Sequence, residues 1–215
     1  MVEMKHLRER TGWLKERAKR IGGSEIAAVV GLNPYMTNVD LWRIKTGREV
    51  PEDISDKPAV KYGTDAEKYL RELFRLDYPQ FDLEYVENNL YINTKYPFAH
   101  ASLDGWLKDE EGRLGILEIK TTTIQSSAQK AKWEGRIPDN YYAQVCWYMG
   151  VVEADFAILK AQMKWAKEDV FEVTKHYVIE KADVEDDIKF LLEKGAEFYG
   201  YILRDEEPPL VLPEI

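Results

Sequence analysis

The segment Leu114–Thr121, Leu-Gly-Ile-Leu-Glu-Ile-Lys-Thr, constrains this chain more than any other stretch. Ile116, Leu117 and Ile119 make it apolar enough for a central strand, where a charged pair needs a reason. Yet Glu118 and Lys120 stand in it, two residues apart. Alternate residues of a strand project to one face, so these two lie side by side while Ile119 turns into the core. A cluster of Asp, Glu and Gly at Lys108–Arg113 marks a hairpin turn, which pairs this strand with Ala101–Leu107. Asp104, near the middle of that partner strand, then comes close to Glu118. Two carboxylates and an amine converge at one point.

Taken singly, each piece has an ordinary explanation. Glu-x-Lys is a common ion pair on exposed strands, and Asp-Gly is a common turn. The apolar neighbours favour the buried arrangement instead. Asp104, Glu118 and the Ile119 carbonyl form a set of hard oxygen ligands that suits Mg²⁺ or Mn²⁺. Such a centre suits phosphodiester hydrolysis, because a bound metal acidifies water and neutralises charge on the phosphate. Lys120 would orient the water or stabilise the developing charge. A metal-free hydrolase is not indicated, since no G-x-S-x-G or comparable nucleophile motif occurs.

The 215 residues suit one α/β domain, and 45% hydrophobic residues suffice for a core. No apolar run approaches the roughly 18 residues of a membrane span, and Met1–Arg10 lacks the apolar region of a secretory signal. A single cysteine, Cys146, excludes a disulfide scaffold, a four-Cys zinc site and a Cys-ligated iron–sulfur cluster. Cytoplasmic location is the default. The net charge is −9, which is unusual for a nucleic-acid binder. Its distribution is uneven, with seven Lys/Arg against three Glu in residues 1–20 and an acidic tail after Lys181. Charge alone neither supports nor excludes nucleic acid.

The elements follow from periodicity and punctuation. Residues 3–20 read as a basic amphipathic helix broken by Gly22-Gly23. Ser24 is expected to cap a short helix, Glu25–Val30, and Asn38 a second, Val39–Lys45. Ala59–Asp77 is a long helix stopped by Pro79. Phe81–Tyr91 reads as a strand, followed by the hairpin. Thr123–Trp133 is expected as helix. Pro138 opens another helix as its first residue, running to Tyr148 and stopped by Gly150. Ala154–Gln162 and Val170–Ile179 read as strands. Asp183–Arg204 closes as a helix with Val184, Ile188, Leu191 or Leu192, and Phe198 on its apolar stripe. This order predicts an α/β fold, a mixed central β-sheet flanked by helices.

Four ordered blocks across about residues 10–160 resemble the lambda exonuclease/YqaJ group of the PD-(D/E)xK nucleases. They are Trp13-x3-Arg17 with IGGSEIAAVVG, YGTDAEKYL, ASLDGWL with GILEIKT, and Gln144-x3-Tyr148 in YYAQVCWYMG. The resemblance implies a restriction-endonuclease-like core over 1–215 and a two-metal mechanism. It implies Mg²⁺-dependent 5′→3′ degradation of linear double-stranded DNA in phage-type recombination. Asp104 and Glu118 resemble the metal ligands, Ile119 the residue lending its carbonyl, and Lys120 the catalytic lysine. Glu67 resembles the helical carboxylate of a second metal site. Gln144 and Tyr148 resemble residues of a helix that contacts DNA or the lysine. Arg17 and Ser24 resemble a 5′-phosphate pocket, so the N-terminal helices (about 1–48) would form part of a DNA-end site. A ring-shaped homo-oligomer, a single-strand annealing partner and a bacterial host cell, phage or prophage setting are implied as well. Related RecB-type nucleases often carry His at the position of Glu67, and the residues after Met163 match nothing in the group. An endonuclease or structure-specific nuclease on the same core, and a non-catalytic DNA-binding module, are the alternatives.

Some residues have simpler expectations. His100, four residues before Asp104, is expected to be a satisfied structural residue rather than a proton shuttle. Trp42, Trp133, Trp147 and Trp165 read as core, and Cys146 as an inert core thiol. Gly22-Gly23-Ser24 alone suggests a helix start; Arg17, one turn earlier, is what brings anion binding into view.

Overall fold

A computed structural model describes residues 1–165 and 172–212. The chain opens with strand β1 (Val2–His6), followed by helices α1 (Arg10–Ala18), α2 (Gly23–Val29), α3 (Asn38–Lys45) and α4 (Pro58–Asp77). Strands β2 (Asp82–Glu84), β3 (Asn89–Asn93), β4 (Gly105–Lys108) and β5 (Leu114–Ile124) come next, then helices α5 (Ser127–Ala131) and α6 (Asp139–Val152). Strands β6 (Phe156–Trp165) and β7 (Glu172–Glu180), a 3₁₀ turn (Lys181–Asp183) and helix α7 (Glu185–Arg204) complete it. The main sheet has the order β2-β4-β5-β6-β7. Among the described residues of this sheet only β5 and β6 run parallel, and α5 and α6 lie in the crossover between them. A separate ribbon pairs β1 with β3. No described helix is long and apolar enough to cross a membrane.

The expected mixed sheet flanked by helices is present, and alternation along β5 sorts its two faces. Ile116 joins the larger core, with Ile26 of α2, Trp42 of α3, Trp147 of α6 and Leu191 of α7. Leu117 and Ile119 join a smaller core under Leu70 and Phe74 of α4. Ile188, Leu192 and Phe198 of α7 are buried as expected, as is Val184 just before it. Trp42, Trp133 and Trp147 are core residues, and Trp165 packs against that core.

Several boundaries differ from the expectation, each for a local reason. Residues 3–20 are not one helix, because Val2–His6 finds a strand partner in Asn89–Asn93 and α1 starts only at Arg10. Ser24 is not a cap. Gly22 holds the cap position of α2, and its N–H donates to Glu25 Oε2 at 2.8 Å. Asn38 is not a cap either, since Thr37 Oγ1 accepts the Asp40 N–H at 3.2 Å. Asn38 instead grips the C-terminal segment, donating to the Pro209 carbonyl and accepting from the Val211 N–H. Phe81–Tyr91 splits between the two sheets, with Asn88 at φ 52° in the break. Thr123 and Ile124 extend β5, because the parallel ladder with β6 continues to Ile124↔Trp165; the helix there shrinks to α5. Pro138 is the cap of α6 rather than its first residue, and Gly150 does not stop it. A Cβ at Gly150 would meet Ile188 Cγ2 at 2.7 Å, so this glycine serves close packing against α7. Strand β6 begins later and ends later than expected, and β7 covers the expected strand except for Val170 and Phe171, which lie outside the described residues.

A second close approach on α7 tests this packing. A Cβ at Gly195 would meet Trp147 Cη2 at 2.5 Å, and Trp147 is fully buried. Gly195→Ala is expected to destabilise the protein by about 1–3 kcal/mol in urea unfolding, as overpacking of a rigid ring does. An unchanged midpoint would show that α7 is free to shift away from α6.

Candidate active site

The site forms where β4 stops. Strand β4 pairs with β5 from Lys108↔Leu114 to Gly105↔Leu117, and Asp104 lies one residue ahead of β4 rather than in its middle. Beyond Leu117 the β4-facing edge of β5 is therefore open to side chains. Asp104 fills the gap, its Oδ2 accepting the Ile119 N–H at 2.8 Å. A strand residue directs its N–H and C=O to the same neighbour, so the Ile119 carbonyl also faces the Asp104 side.

Helices from both faces of the sheet reach this edge. Glu118 is 2% exposed and belongs to the face covered by α6. Its Oε1 takes two partners, Lys120 Nζ at 2.7 Å and Gln144 Nε2 at 2.7 Å. Gln144 Nε2 also donates to the Tyr148 hydroxyl at 3.2 Å. Glu118 Oε2 is buried and has no hydrogen-bond partner. From the other face, α4 supplies Glu67, which is ion-paired to Arg71 one turn later. Arg17 and Ser24 complete the wall. They line the same cavity of about 710 Å³ as Glu67, Asp104, Glu118, Ile119, Lys120, Gln144 and Tyr148. All nine residues singled out from the sequence thus share one cavity.

The electrostatics follow from crowding. Burial, and then the nearby Asp104 charge, push the Glu118 carboxyl up to about 8 against the pull of Lys120. The same two causes push Glu67 up to about 7. Burial raises Asp104 as well, opposed by Lys120 and the Ile119 N–H. Burial alone would lower Lys120, but the Glu118 and Asp104 carboxylates overcome it and keep the ammonium protonated. The Tyr148 hydroxyl is pushed up by burial and by Glu118, so it stays neutral. Carboxylates with too little positive charge around them, and one carboxylate oxygen wholly unsatisfied, are what a divalent cation would relieve. Asp104, Glu118 and the Ile119 carbonyl fit one.

Other residues shape the site without having been given a role in it from the sequence. Trp13 Nε1 donates to the Asn89 carbonyl at 2.8 Å, which fixes the ring, and the Arg17 guanidinium stacks on it 4.2 Å from its centroid. Arg71 is buried, and its Nε donates to the Asp104 carbonyl at 2.5 Å. An Arg four residues after a Glu normally reads as a solvated helix pair, which hides it in the sequence. Gly23 is needed because a Cβ there would lie 2.4 Å from Tyr148 Cε1, so α2 approaches α6 closely. His100 is buried, but it is not the satisfied residue that was expected. It is 2% exposed, with its Nδ1 unpartnered and its ring against Gly22. Cys146 is buried, and burial pushes its thiol up to about 12.

Comparison with known proteins gives this arrangement its class. An alkaline exonuclease from Laribacter hongkongensis superposes with TM-score 0.62 at 16% identity, over 90% of this chain and 95% of that one. The same enzyme in complex with dAMP gives 0.61 at 15% identity, with the same coverage. A phage-related exonuclease from Haemophilus somnus 129PT gives 0.50 at 13% identity, over 86% of this chain and 96% of that one. At these identities the likeness is one of fold, and the fold is the restriction-endonuclease-like core. The YqaJ-like viral recombinase domain family matches residues 12–155, and the chain belongs to that family. The uncharacterized protein YqaJ of Bacillus subtilis (strain 168) is 32% identical over 167 residues, 75% of this chain and 50% of that protein. The match thus spans half the length of that relative.

His100 offers a test of the packing beside the cavity. Burial, and then Arg17, Lys45 and Arg20, hold its imidazole well below the ordinary histidine value of about 6.5. An unfolded chain takes up a proton below pH 6.5 that the folded chain refuses, so stability falls as pH drops through that value. One such histidine contributes up to about 1.4 kcal/mol per pH unit. His176 is lowered too, so the comparison must be with His100→Gln, whose stability is expected to fall less steeply between pH 6.5 and 5. Parallel curves for the two proteins would place His100 in a wetter setting than this one.

Proposed function

We propose that the chain is a divalent-metal-dependent deoxyribonuclease that degrades linear double-stranded DNA from its ends in the 5′→3′ direction, as in phage-type recombination. The observation that carries this is the convergence of Asp104, Glu118 and Lys120 at the open edge of β5, with Glu118 Oε2 unsatisfied. Membership of a viral recombinase family and a fold shared with proteins described as exonucleases support the substrate class.

Asp104, Glu118 and the Ile119 carbonyl would hold one Mg²⁺ or Mn²⁺, and Glu67 would help hold a second. Bound there, such ions supply an acidified water and charge neutralisation on the scissile phosphate. The protein's own groups do the rest. Gln144 holds Glu118 Oε1 in place and leaves the buried Oε2 without a hydrogen-bond partner. Lys120, protonated and anchored to Glu118, stabilises negative charge growing on the phosphate and orients the attacking water. Arg17, with its guanidinium plane laid against Trp13, presents a preset fork for a terminal 5′-phosphate, and Ser24 adds a hydroxyl and the start of α2. Tyr148 supports Gln144 from the same helix. The product is a 3′ single-stranded overhang for an annealing protein, and a ring-shaped homo-oligomer around the duplex would keep the enzyme on its track.

The deciding experiment is a time course on end-labelled linear duplex with Mg²⁺, comparing 5′ and 3′ labels with a closed circular control. Loss of the 5′ label first, with the circle intact, is expected. Cutting of the circle would favour an endonuclease on the same core, and binding without cleavage a non-catalytic module. Glu118→Gln, which keeps the side chain's shape, and Lys120→Ala should each slow degradation by about a hundredfold or more. Full activity in either would remove the residue from the mechanism. Removing the 5′-phosphate should slow the wild type, and Arg17→Ala should erase that difference. Equal rates on both substrates in the wild type would reject the phosphate pocket.

A further inference from the structure

Arg71 lines the same cavity, yet nothing in the scheme above uses it. Its head is fixed three ways. Nε donates to the Asp104 carbonyl at 2.5 Å, Nη2 donates to Glu67 Oε1, and the guanidinium lies 3.4 Å over the Tyr85 ring. A buried arginine held this firmly keeps its charge and its place.

The consequence falls on Glu67. Its carboxylate is drawn into a charge-assisted pair with Arg71, the strongest kind of side-chain hydrogen bond. Among the described residues, no three His, Cys, Asp or Glu side chains stand together as a ready metal cage. The two halves of the centre differ in this respect. On the β5 side, Glu118 Oε2 is free to take a ligand. On the α4 side, the guanidinium already engages the carboxylate, and its charge would stand within a few ångströms of any ion that arrived there. In a partly buried site such repulsion is large compared with thermal energy.

We propose that Arg71 competes with a divalent cation for Glu67, so that a second ion binds the free protein weakly and loads together with DNA, whose phosphate offsets the guanidinium. The proposal rests on the divalent-ion reading above and adds an order of assembly. The ion at Asp104 and Glu118 binds first, and the ion at Glu67 enters with the substrate.

The test is Mn²⁺ binding to the metal-free full chain without DNA, followed by calorimetry and by the spin-resonance signal of free Mn²⁺. The wild type should bind one ion more tightly than a second. Arg71→Met, which removes the charge, should tighten the second by about tenfold or more. Arg71→Lys, which keeps the charge, should stay near the wild type. Adding Glu67→Gln to Arg71→Met should abolish the gain. If Arg71 only props α4 against the Asp104 segment, its removal would loosen the ion or change nothing, and either result overturns the proposal. Should Arg71→Met fail to fold, Arg71→Gln, which keeps a donor for the Asp104 carbonyl but no charge, is held to the same expectation. Cleavage of linear duplex by the wild type is scored separately. A wild type that binds Mn²⁺ as described but cuts nothing would sink the nuclease reading and leave the competition standing.

Discussion

The structure depends on a carboxylate buried in the middle of a sheet. Placing Glu118 in the wall of the core costs several kcal/mol unless its charge is met. Lys120 and Gln144 meet it on one oxygen only. That arrangement dictates much of what surrounds it. Lys120 must follow at i+2 to share the face, and α6 must pack close enough for Gln144 to reach the strand. Strand β4 must begin no earlier than Gly105, because a ladder extended back would place backbone where Asp104 now caps the Ile119 N–H. The open edge lets helices on opposite faces of one sheet, α4 and α6, supply groups to a single point.

The segments before β4 are shaped by the same point. Helix α1 ends at Ala18 and α2 begins at Gly23, and Lys45 from α3 ties the two. Its Nζ donates to the Arg20 carbonyl at 2.6 Å and pairs with Glu25 at 2.9 Å. Glu25 in turn accepts the Gly22 N–H. A short chain of polar contacts thus sets where Arg17 leaves α1 and where Ser24 enters α2. The bare Gly23 lets that turn sit directly on Tyr148, so the N-terminal segment and the α6 residues are registered to each other through contact rather than through a long loop.

The sequence made the centre legible because its signal is local and costly. Charged residues inside an apolar strand have few structural explanations, and period two fixes which of them share a face. The helix α7 was equally plain, since its apolar stripe repeats at helical spacing from Val184 to Phe198. What stayed hidden depends on partners distant in the chain. Val2–His6 is strand only because β3 lies beside it, and Thr123-Ile124 is strand only because β6 continues that far. Ser24 and Asn38 have the chemistry of helix caps, but Gly22 and Thr37 hold those positions, and the displaced side chains serve a cavity wall and a clamp on the C-terminal segment. Arg71 was invisible for a similar reason. At i+4 from Glu67 it has the spacing of an ordinary surface pair, and only the fold turns it inward.

The acidity of the chain also takes a different meaning once the charges are placed. A net charge of −9 argues against DNA if spread evenly. The cavity wall, however, carries Arg10, Arg17, Lys68, Arg71 and Lys120 against Glu67, Glu87, Asp104 and Glu118. That is five cations to four anions, close to neutral. Much of the excess acid lies elsewhere, as in Glu185, Asp186 and Asp187, which occupy the first turn of α7 where they favour the helix dipole. A neutral cavity in an acidic protein would hold a phosphate backbone weakly by itself. On the proposed reading, each divalent ion bound there would shift the balance by two positive charges, in the place where the scissile phosphate would sit. Affinity for substrate and competence for chemistry would then be governed by the same ions, which would link a buried, half-satisfied Glu118 to action on a polyanion.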